Sequence, residues 1–299
     1  MKILIIGSKG FIGSHAYHHF SNLNKDETWG CDVVVDYIDD HYILLDSTNS
    51  DFNDLFEQER FDVCINCSGA ASVPDSLVHP LRDFTLNVFT AGKILEAIRR
   101  YAPLCKYIHL SSAAVYGNPS VLPVNVLSTP QPLSPYGWHK LYSEQLCREY
   151  HDFFGVQTLC LRIFSAYGPG LKKQLFWDLY QKSRLTGTVK IYGTGNESRD
   201  FIHVEDLVQV FELAIQHGGF NGEAVNVGNG EEVFLKDIAA LYLGLLNSDY
   251  AFSGEIKKGD PLNWCADISA IRNWGYENKI TLSEGLKGYI AWIKEFDLD

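Results

Sequence analysis

Three glycines in the run Gly7-Ser8-Lys9-Gly10-Phe11-Ile12-Gly13 constrain this chain more than any other feature. They come directly after Lys2 to Ile6, an apolar run that reads as a strand, and open Phe11 to Leu23, which reads as a helix. At this spacing the first glycine permits a tight turn and the second lets backbone approach a pyrophosphate. The third allows the helix to lie close to the strand. The helix start then turns free amides towards phosphate oxygens. Gly7, Gly10, Phe11, Ile12 and Gly13 are therefore candidate contacts to a dinucleotide.

The pattern continues as alternating strands and helices. Strands are predicted at Asp32–Val35, Phe61–Cys67, Tyr107–Ser111, Thr158–Ile163 and Ala224–Val227. Helices are predicted at Phe52–Glu59, Pro80–Tyr101, Tyr136–Phe154 and Phe201–Ile215. Short strands separated by helices of ten or more residues imply right-handed crossovers and a parallel sheet. The expected fold is α/β, a Rossmann-type doubly wound parallel sheet with a smaller C-terminal α/β substrate domain. The division falls at 1–167, with 200–228 returning to the sheet, against 168–199 and 229–299.

An acid at the end of the second strand accepts hydrogen bonds from the adenosine ribose and repels a 2′-phosphate. With that strand placed at 32–35, the acid is Asp36, and the following Tyr37, Ile38, Asp39 and Asp40 include no arginine. NAD is thus expected over NADP, although Lys9 in the glycine loop is a cation able to meet a 2′-phosphate. Asp46 is a candidate for the adenine amino group, or else a lone surface carboxylate. Ser68 and Gly69, just past the third strand, are further candidate cofactor contacts.

Ser134-Pro135-Tyr136-Gly137-Trp138-His139-Lys140 opens a helix, with Ser134 suited to the N-cap and Pro135 to the first turn. Tyr136 and Lys140 lie four residues apart on one face. A cation beside a phenol favours phenolate and lowers its pKa, so Tyr136 is expected to move a proton to and from a sugar hydroxyl. Ser112, at the C-terminal edge of the strand Tyr107–Ser111, faces the crevice where such sheets bind ligands. It is a candidate to hold the reacting oxygen.

Composition narrows the partners. Net charge is −12, with 25 Lys+Arg against 37 Asp+Glu, which argues against binding nucleic acid or an anionic membrane. No apolar run approaches the ~18–20 residues of a span, and the short apolar start gives way to glycine, unlike an export signal. The seven cysteines are scattered. The one C-x-x-C, Cys64 to Cys67, falls on a strand whose alternation sends the two thiols to opposite faces, so no metal is expected. A cytoplasmic, reduced setting follows. Between 170 and 200, however, Lys172, Lys173, Lys182, Arg184, Lys190 and Arg199 outnumber the acids, a local patch suited to a diphosphate. His15 and His19 share helical i, i+4 spacing but are expected to serve packing or the surface.

Gly7, Gly10, Gly13, Ser112, Tyr136 and Lys140 together resemble the extended short-chain dehydrogenase/reductase family, of the NAD-dependent epimerase/dehydratase type that modifies nucleotide sugars. The resemblance continues through Leu161–Gly170, Ile191–Gly195, Arg199–Asp206, Gly259–Pro261 and Ala266–Ser269. It implies that Ser112, Tyr136 and Lys140 are catalytic and that Lys140 also holds the nicotinamide ribose. It implies substrate contacts from Ser165, Lys172, Lys173, Tyr192, Arg199, Lys257 and Asp260, with Arg199 on a phosphate. It also implies a homodimer through a four-helix bundle built from Pro80–Tyr101 and Tyr136–Phe154.

Five positions depart from the family pattern. Ala113 and Ala114 stand where dehydrating members carry an acid pair and decarboxylating members a glutamate, which speaks against both activities. Ser165 replaces an asparagine and Asn66 a histidine. Lys257 replaces an arginine and supplies a point charge in place of a bidentate fork. The expected activity is an NAD-dependent nucleotide-sugar 4-epimerase. The alternatives are an NAD(P)H-dependent reductase of nucleotide-bound 4-keto sugars, which would use the same residues, and a non-catalytic cofactor sensor.

Overall fold

A computed structural model describes residues 1–23, 25–46, 50–185, 187–255, 259 and 261–296. The first half runs β1 (Lys2–Ile6), α1 (Phe11–Asn22), β2 (Glu27–Asp32), β3 (Tyr42–Leu44), α2 (Asn53–Gln58), β4 (Val63–Asn66) and α3 (Val73–Val78). It continues through α4 (Pro80–Phe84), a π turn (Thr85–Phe89), α5 (Thr90–Tyr101), β5 (Lys106–Ser112), α6 (Pro135–Phe154) and β6 (Thr158–Ile163). The second half holds β7 (Ser165–Tyr167), α7 (Gln174–Ser183), β8 (Val189–Ile191), β9 (Ser198–Arg199), β10 (Phe201–His203), α8 (Val204–His217) and β11 (Asn221–Val227). β12 (Val233–Phe234), α9 (Leu235–Leu245), β13 (Tyr250–Phe252), α10 (Ser269–Asn273) and α11 (Leu282–Phe296) follow.

Seven strands form one sheet in the order β11-β6-β5-β4-β1-β2-β3, and every neighbouring pair is parallel. The doubly wound parallel sheet read from the sequence is therefore present. The order reverses between β1 and β4, so a crevice opens at their C-terminal ends, where open α/β sheets take ligands. Side-chain alternation divides the core between the two faces of the sheet. Ile3, Ile5, Val63 and Ile65 pack with α1 and α8 residues such as Ala16 and Phe211 on one side. Leu4, Ile6 and Cys64 pack with Ile94 and Ile98 of α5 on the other. Cys64 and Cys67 accordingly belong to opposite faces.

A third cluster gathers Tyr167, Phe176, Ile191, Phe201, Tyr242, Leu286 and Tyr289. The chain leaves the main sheet after β6, contributes to this cluster, and returns as α8 and β11, with β11 pairing with β6. Trp264, Ala266, Ile268 and Ile271 come from the last third of the chain yet pack into the main core. No helix among the described residues is long and apolar enough to cross a membrane.

The second strand corrects the expectation. It spans Glu27–Asp32, and its register runs from Lys2↔Glu27 to Ile6↔Cys31. Val33, Val34 and Val35 lie beyond it, each about half exposed. A β-branched run outweighed a segment interrupted by Gly30, yet glycine is what the strand needs there. A Cβ on Gly30 would stand 2.8 Å from Oγ of Ser8 in the glycine loop. The helix expected from Phe201 begins instead at Val204, and Phe201–His203 pair with β7.

Candidate active site

The glycine loop takes its shape from contacts no side chain could share. Gly7 has φ +80°, and a Cβ there would meet Ser68 N at 2.8 Å. A Cβ on Gly13 would overlap the Gly7 carbonyl oxygen. Gly7 N donates to Cys31 O at 2.7 Å, tying the loop to the end of β2. At the start of α1, Gly10 is the N-cap without a side-chain cap bond, and the first turn carries no acid. The amides there face outward at the positive end of the helix dipole, the arrangement that receives phosphate.

Asp32, not Asp36, ends the second strand. Its carboxylate accepts from Lys9 N at 2.9 Å and Val33 N at 2.7 Å, which places it at the mouth of the glycine loop. Asp36 lies four residues on and binds the Lys9 ammonium, which also sits 4.7 Å from the centroid of the Tyr42 ring. The Lys9 ammonium and the Asp36 carboxylate thus neutralise each other. Asp46 is exposed after β3 and borders a shallow groove with Trp29, Leu55 and Glu59.

Ser68 and Gly69 stand across the crevice, past β4. Asn66 shapes this turn, its Oδ1 accepting from Ser68 N at 3.1 Å and from Ser68 Oγ at 2.5 Å. From Asn66 a buried hydrogen-bond chain runs to α6. Asn66 Nδ2 donates to the Tyr107 hydroxyl at 2.8 Å, and that hydroxyl lies 3.3 Å from His109 Nδ1. His109 Nε2 lies 2.8 Å from Ser143 Oγ, which donates to the Lys140 carbonyl at 2.8 Å. Donors and acceptors alternate in one direction when His109 carries its proton on Nε2. Burial, assisted by the Lys140 cation, holds that imidazole well below its ordinary pKa and so neutral.

α6 begins as expected, with Ser134 Oγ accepting from Gly137 N at 3.2 Å and Pro135 in the first turn. A Cβ on Gly137 would stand 2.6 Å from Ala114 O, so glycine lets the helix start close against the end of β5. This brings Tyr136 to Ser112, whose hydroxyl also accepts from Ala114 N at 3.2 Å. Lys140 Nζ is buried, donates to Leu110 O at 2.9 Å and lies 5.9 Å from the centroid of the Tyr136 ring. Ser112, Tyr136 and Lys140 thus meet at the edge of the sheet.

The lowered phenol expected from sequence is not found. Desolvation pushes Tyr136 up to about 12, with the Ser112 hydroxyl pulling down and Asp83 pushing up. Desolvation also brings Lys140 down to about 8, against the opposing charges of Asp83 and Glu144. Loss of water is the largest cause at both groups. Desolvation thus favours the neutral phenol.

The remaining expected residues are distributed more widely. Arg199 on β9 donates to Ser198 O at 2.8 Å and Leu262 O at 3.1 Å, with its guanidinium 5.6 Å from the Trp264 ring centroid. Ser165 N donates to Asp200 O at 2.9 Å. Lys172 and Lys173 are exposed before α7, and Tyr192 is exposed past β8. Lys257 and Asp260 lie outside the described residues. A Cβ on Gly259 between them would stand 3.0 Å from Val73, at the start of α3, and 3.7 Å from Ser134, the cap of α6. His15 Nε2 lies 2.9 Å from Pro169 O, whereas His19 meets Glu212 at 3.3 Å. Among the described residues no group of three His, Cys, Asp or Glu could hold a metal.

Two features had no sequence signal. Asn87, in the π turn, is buried with neither side-chain atom hydrogen-bonded among the described residues, and a Cβ on Gly69 would stand 2.6 Å from its Oδ1. An orphaned amide beside the crevice, together with the glycine cradle and the acid at Asp32, fits a bound dinucleotide. The second is Asp83, buried in α4 and paired with His139 on α6.

Residues 3–228 match the model of the NAD dependent epimerase/dehydratase family. A UDP-glucose 4-epimerase from Mycolicibacterium smegmatis is 25% identical over 311 residues, covering 98% of this chain and 99% of the relative. A dTDP-D-glucose 4,6-dehydratase from Bos taurus is 25% identical over 329 residues, covering 98% and 89%. Among solved structures, a UDP-glucuronic acid 4-epimerase from Bacillus cereus, in complex with UDP-glucuronic acid and NAD, is similar with TM-score 0.89. It is 28% identical, covering 99% of this chain and all of that one.

Proposed function

The chain belongs to the NAD dependent epimerase/dehydratase family, and on that premise we propose that it is a nucleotide-sugar 4-epimerase that keeps NAD bound through turnover. One observation carries the reading. Ser112, Tyr136 and Lys140 meet at the C-terminal edge of β5, in the same crevice as the glycine cradle.

In this reading Gly7, Gly10 and Gly13, with the amides of Phe11 and Ile12, hold the pyrophosphate, and Asp32 holds the adenosine ribose. Ser68, Gly69 and Lys140 line the nicotinamide side. When bound, the oxidised nicotinamide supplies a positive charge near the phenol and takes and returns hydride at carbon 4. Ser112 holds the O4 oxygen beside Tyr136, which takes the hydroxyl proton and later gives it back. Lys140 keeps the ionised phenol in an electrostatically favourable setting. Residues 168–199 and 229–299 close over the nucleotide, with Arg199, Lys172 and Lys173 towards the diphosphate. The sugar would turn within that pocket, so that Tyr136 gives the proton back to O4 while hydride would be returned to the other face of carbon 4.

Ala113 and Ala114 are methyl-bearing and buried next to Ser112. Neither can move a proton, which supports epimerisation over 4,6-dehydration although dehydratases stand among the relatives. Seven free cysteines support a reducing, cytoplasmic setting.

The test is a panel of nucleotide hexoses and uronates incubated with the purified protein. Interconversion of 4-epimers without net change in NADH absorbance is expected, with Tyr136→Phe slowing kcat by about 10³-fold. Steady consumption of NADH or NADPH with a 4-keto sugar, and no interconversion, would instead establish the reductase.

A further inference from the structure

Asp83 is 1% exposed, although it lies on α4 and has no place in the glycine cradle or the Ser112–Tyr136–Lys140 group. Its Oδ1 lies 2.5 Å from Nδ1 of His139, which is itself nearly buried. Its Oδ2 is buried without a hydrogen-bond partner among the described residues. Buried carboxylates are costly and are normally fully hydrogen-bonded, so a half-satisfied one beside a catalytic helix requires an explanation.

The connectivity supplies one. His139 immediately precedes Lys140 and follows Tyr136 by three positions, so it shares their stretch of α6. Asp83 sits just before the π turn that carries Asn87 against Gly69. One side of α4 therefore grips the catalytic helix while its continuation touches the cofactor crevice. Tyr136 N also donates to Ser76 Oγ of α3 at 3.1 Å, a second tether on the same turn.

We propose that Asp83 and His139 are positioning residues. Their hydrogen bond fixes the rotation of α6, and the carboxylate sets a negative charge behind Tyr136 and Lys140. This deepens the reading above and rests on Tyr136 and Lys140 being the reacting pair. The other groups facing these residues come from every neighbouring element. Glu144 lies on α6 itself, Cys67 lies past β4, His109 is on β5 and Cys160 on β6. Tyr142 lies 6.3 Å from the His139 ring, and Arg82 on α4 is taken by Asp75 of α3. Among these, Asp83 and Glu144 are the carboxylates that help Lys140 keep its proton. Glu144 is committed to Arg162 and Ser111, which leaves Asp83 as the adjustable source.

The experiment titrates the Lys140 side-chain nitrogen by NMR in the full-length ¹⁵N-lysine protein without substrate, with the resonance assigned by its loss in Lys140→Met. Asp83→Asn is expected to lower the midpoint from about 8 by roughly one pH unit. The pH profile of kcat should shift to lower pH on both limbs, with KM within about twofold, since Asp83 also opposes ionisation of Tyr136. Asp83→Glu retains the charge and is expected to retain the midpoint. An equal shift there would assign the effect to packing and overturn the proposal. His139→Asn still donates to Asp83 and should keep both midpoint and kcat. A tenfold fall in kcat for that variant would overturn the orienting role assigned to the hydrogen bond. Should Asp83→Asn fail to fold, Asp83→Ser removes the same charge. An unmoved midpoint in whichever charge-removing variant folds overturns the proposal. Because the midpoint is read without turnover, a shifted midpoint in a protein that epimerises no sugar would count against the function alone.

Discussion

Lys140 donates its ammonium to the carbonyl oxygen of Leu110 at 2.9 Å, so the lysine is anchored to a strand and, among the described residues, has no carboxylate as direct hydrogen-bond partner. Its charge is retained in the fold at a cost, and desolvation lowers it from 10.5 to about 8. Between those values the unfolded chain binds the proton and the folded chain does not. Stability contributed by this group therefore rises with pH through that window. Measured by urea unfolding, the stability of Lys140→Met relative to the parent should fall by roughly 2–3 kcal/mol between pH 7 and pH 10. A pH-independent difference would contradict the desolvated lysine.

Asp32 and Asp36 are expected to make separable contributions to cofactor choice. The parent is expected to bind NAD at least about tenfold more tightly than NADP, because an acid facing the ribose repels a 2′-phosphate. Asp32→Asn should narrow that ratio by weakening NAD. Asp36→Asn frees Lys9 and should narrow it by strengthening NADP. Calorimetric titration of both cofactors distinguishes the two. Equal effects from both variants would argue against Asp32 as the ribose acid.

Gly13→Ala tests the closeness of α1 to the loop. Its methyl would overlap the Gly7 carbonyl oxygen, so the helix start must move and carry its amides away from the phosphates. The variant should purify with less than about a tenth of the parent's bound NAD, in line with the strict geometry of such sites. Cofactor content by absorbance after denaturation provides the measurement.

An apolar face remains on the outside of the helices nearest the site. Leu81, Phe89 and Trp138 are 76%, 57% and 44% exposed, and Phe84 and Tyr142 lie beside them in the same elements. Exposed apolar side chains on neighbouring elements are suited to burial against a second copy. Sedimentation of the parent at micromolar concentration should show a dimer, and Phe89→Asp with Trp138→Asp should show a monomer. A monomeric parent would rule out the four-helix interface that the family resemblance implies.

Much of this site was legible because local rules determine it. Thr158–Ile163 is a strand at the expected residues, and the glycine spacing, the Ser134 cap and the Tyr136/Lys140 spacing each follow from short-range geometry. What could not be read depends on distant neighbours. The valines at 33–35 have higher strand propensity than Thr28-Trp29-Gly30-Cys31, yet pairing with β1 selected the latter. That moved the acid from Asp36 to Asp32. The phenol's pKa was misjudged because spacing reports the nearby cation but not the loss of water around both groups. Asp83 and His139 are 56 positions apart, and no spacing rule anticipates their meeting. The orphaned Asn87 shows only once the π turn places it against Gly69.

The return of the chain as β11 has a consequence for the growing polypeptide. All six residues of β6 are buried, but one of its edges pairs only with Asn221–Val227. Until that segment leaves the ribosome, a nascent chain carries a complete cofactor cradle beside an open, apolar strand edge. Such an edge is a template for pairing with other chains. Translation that pauses between residues 163 and 221 would prolong that exposure, so the stretch between β6 and β11 is where the speed of synthesis bears on yield.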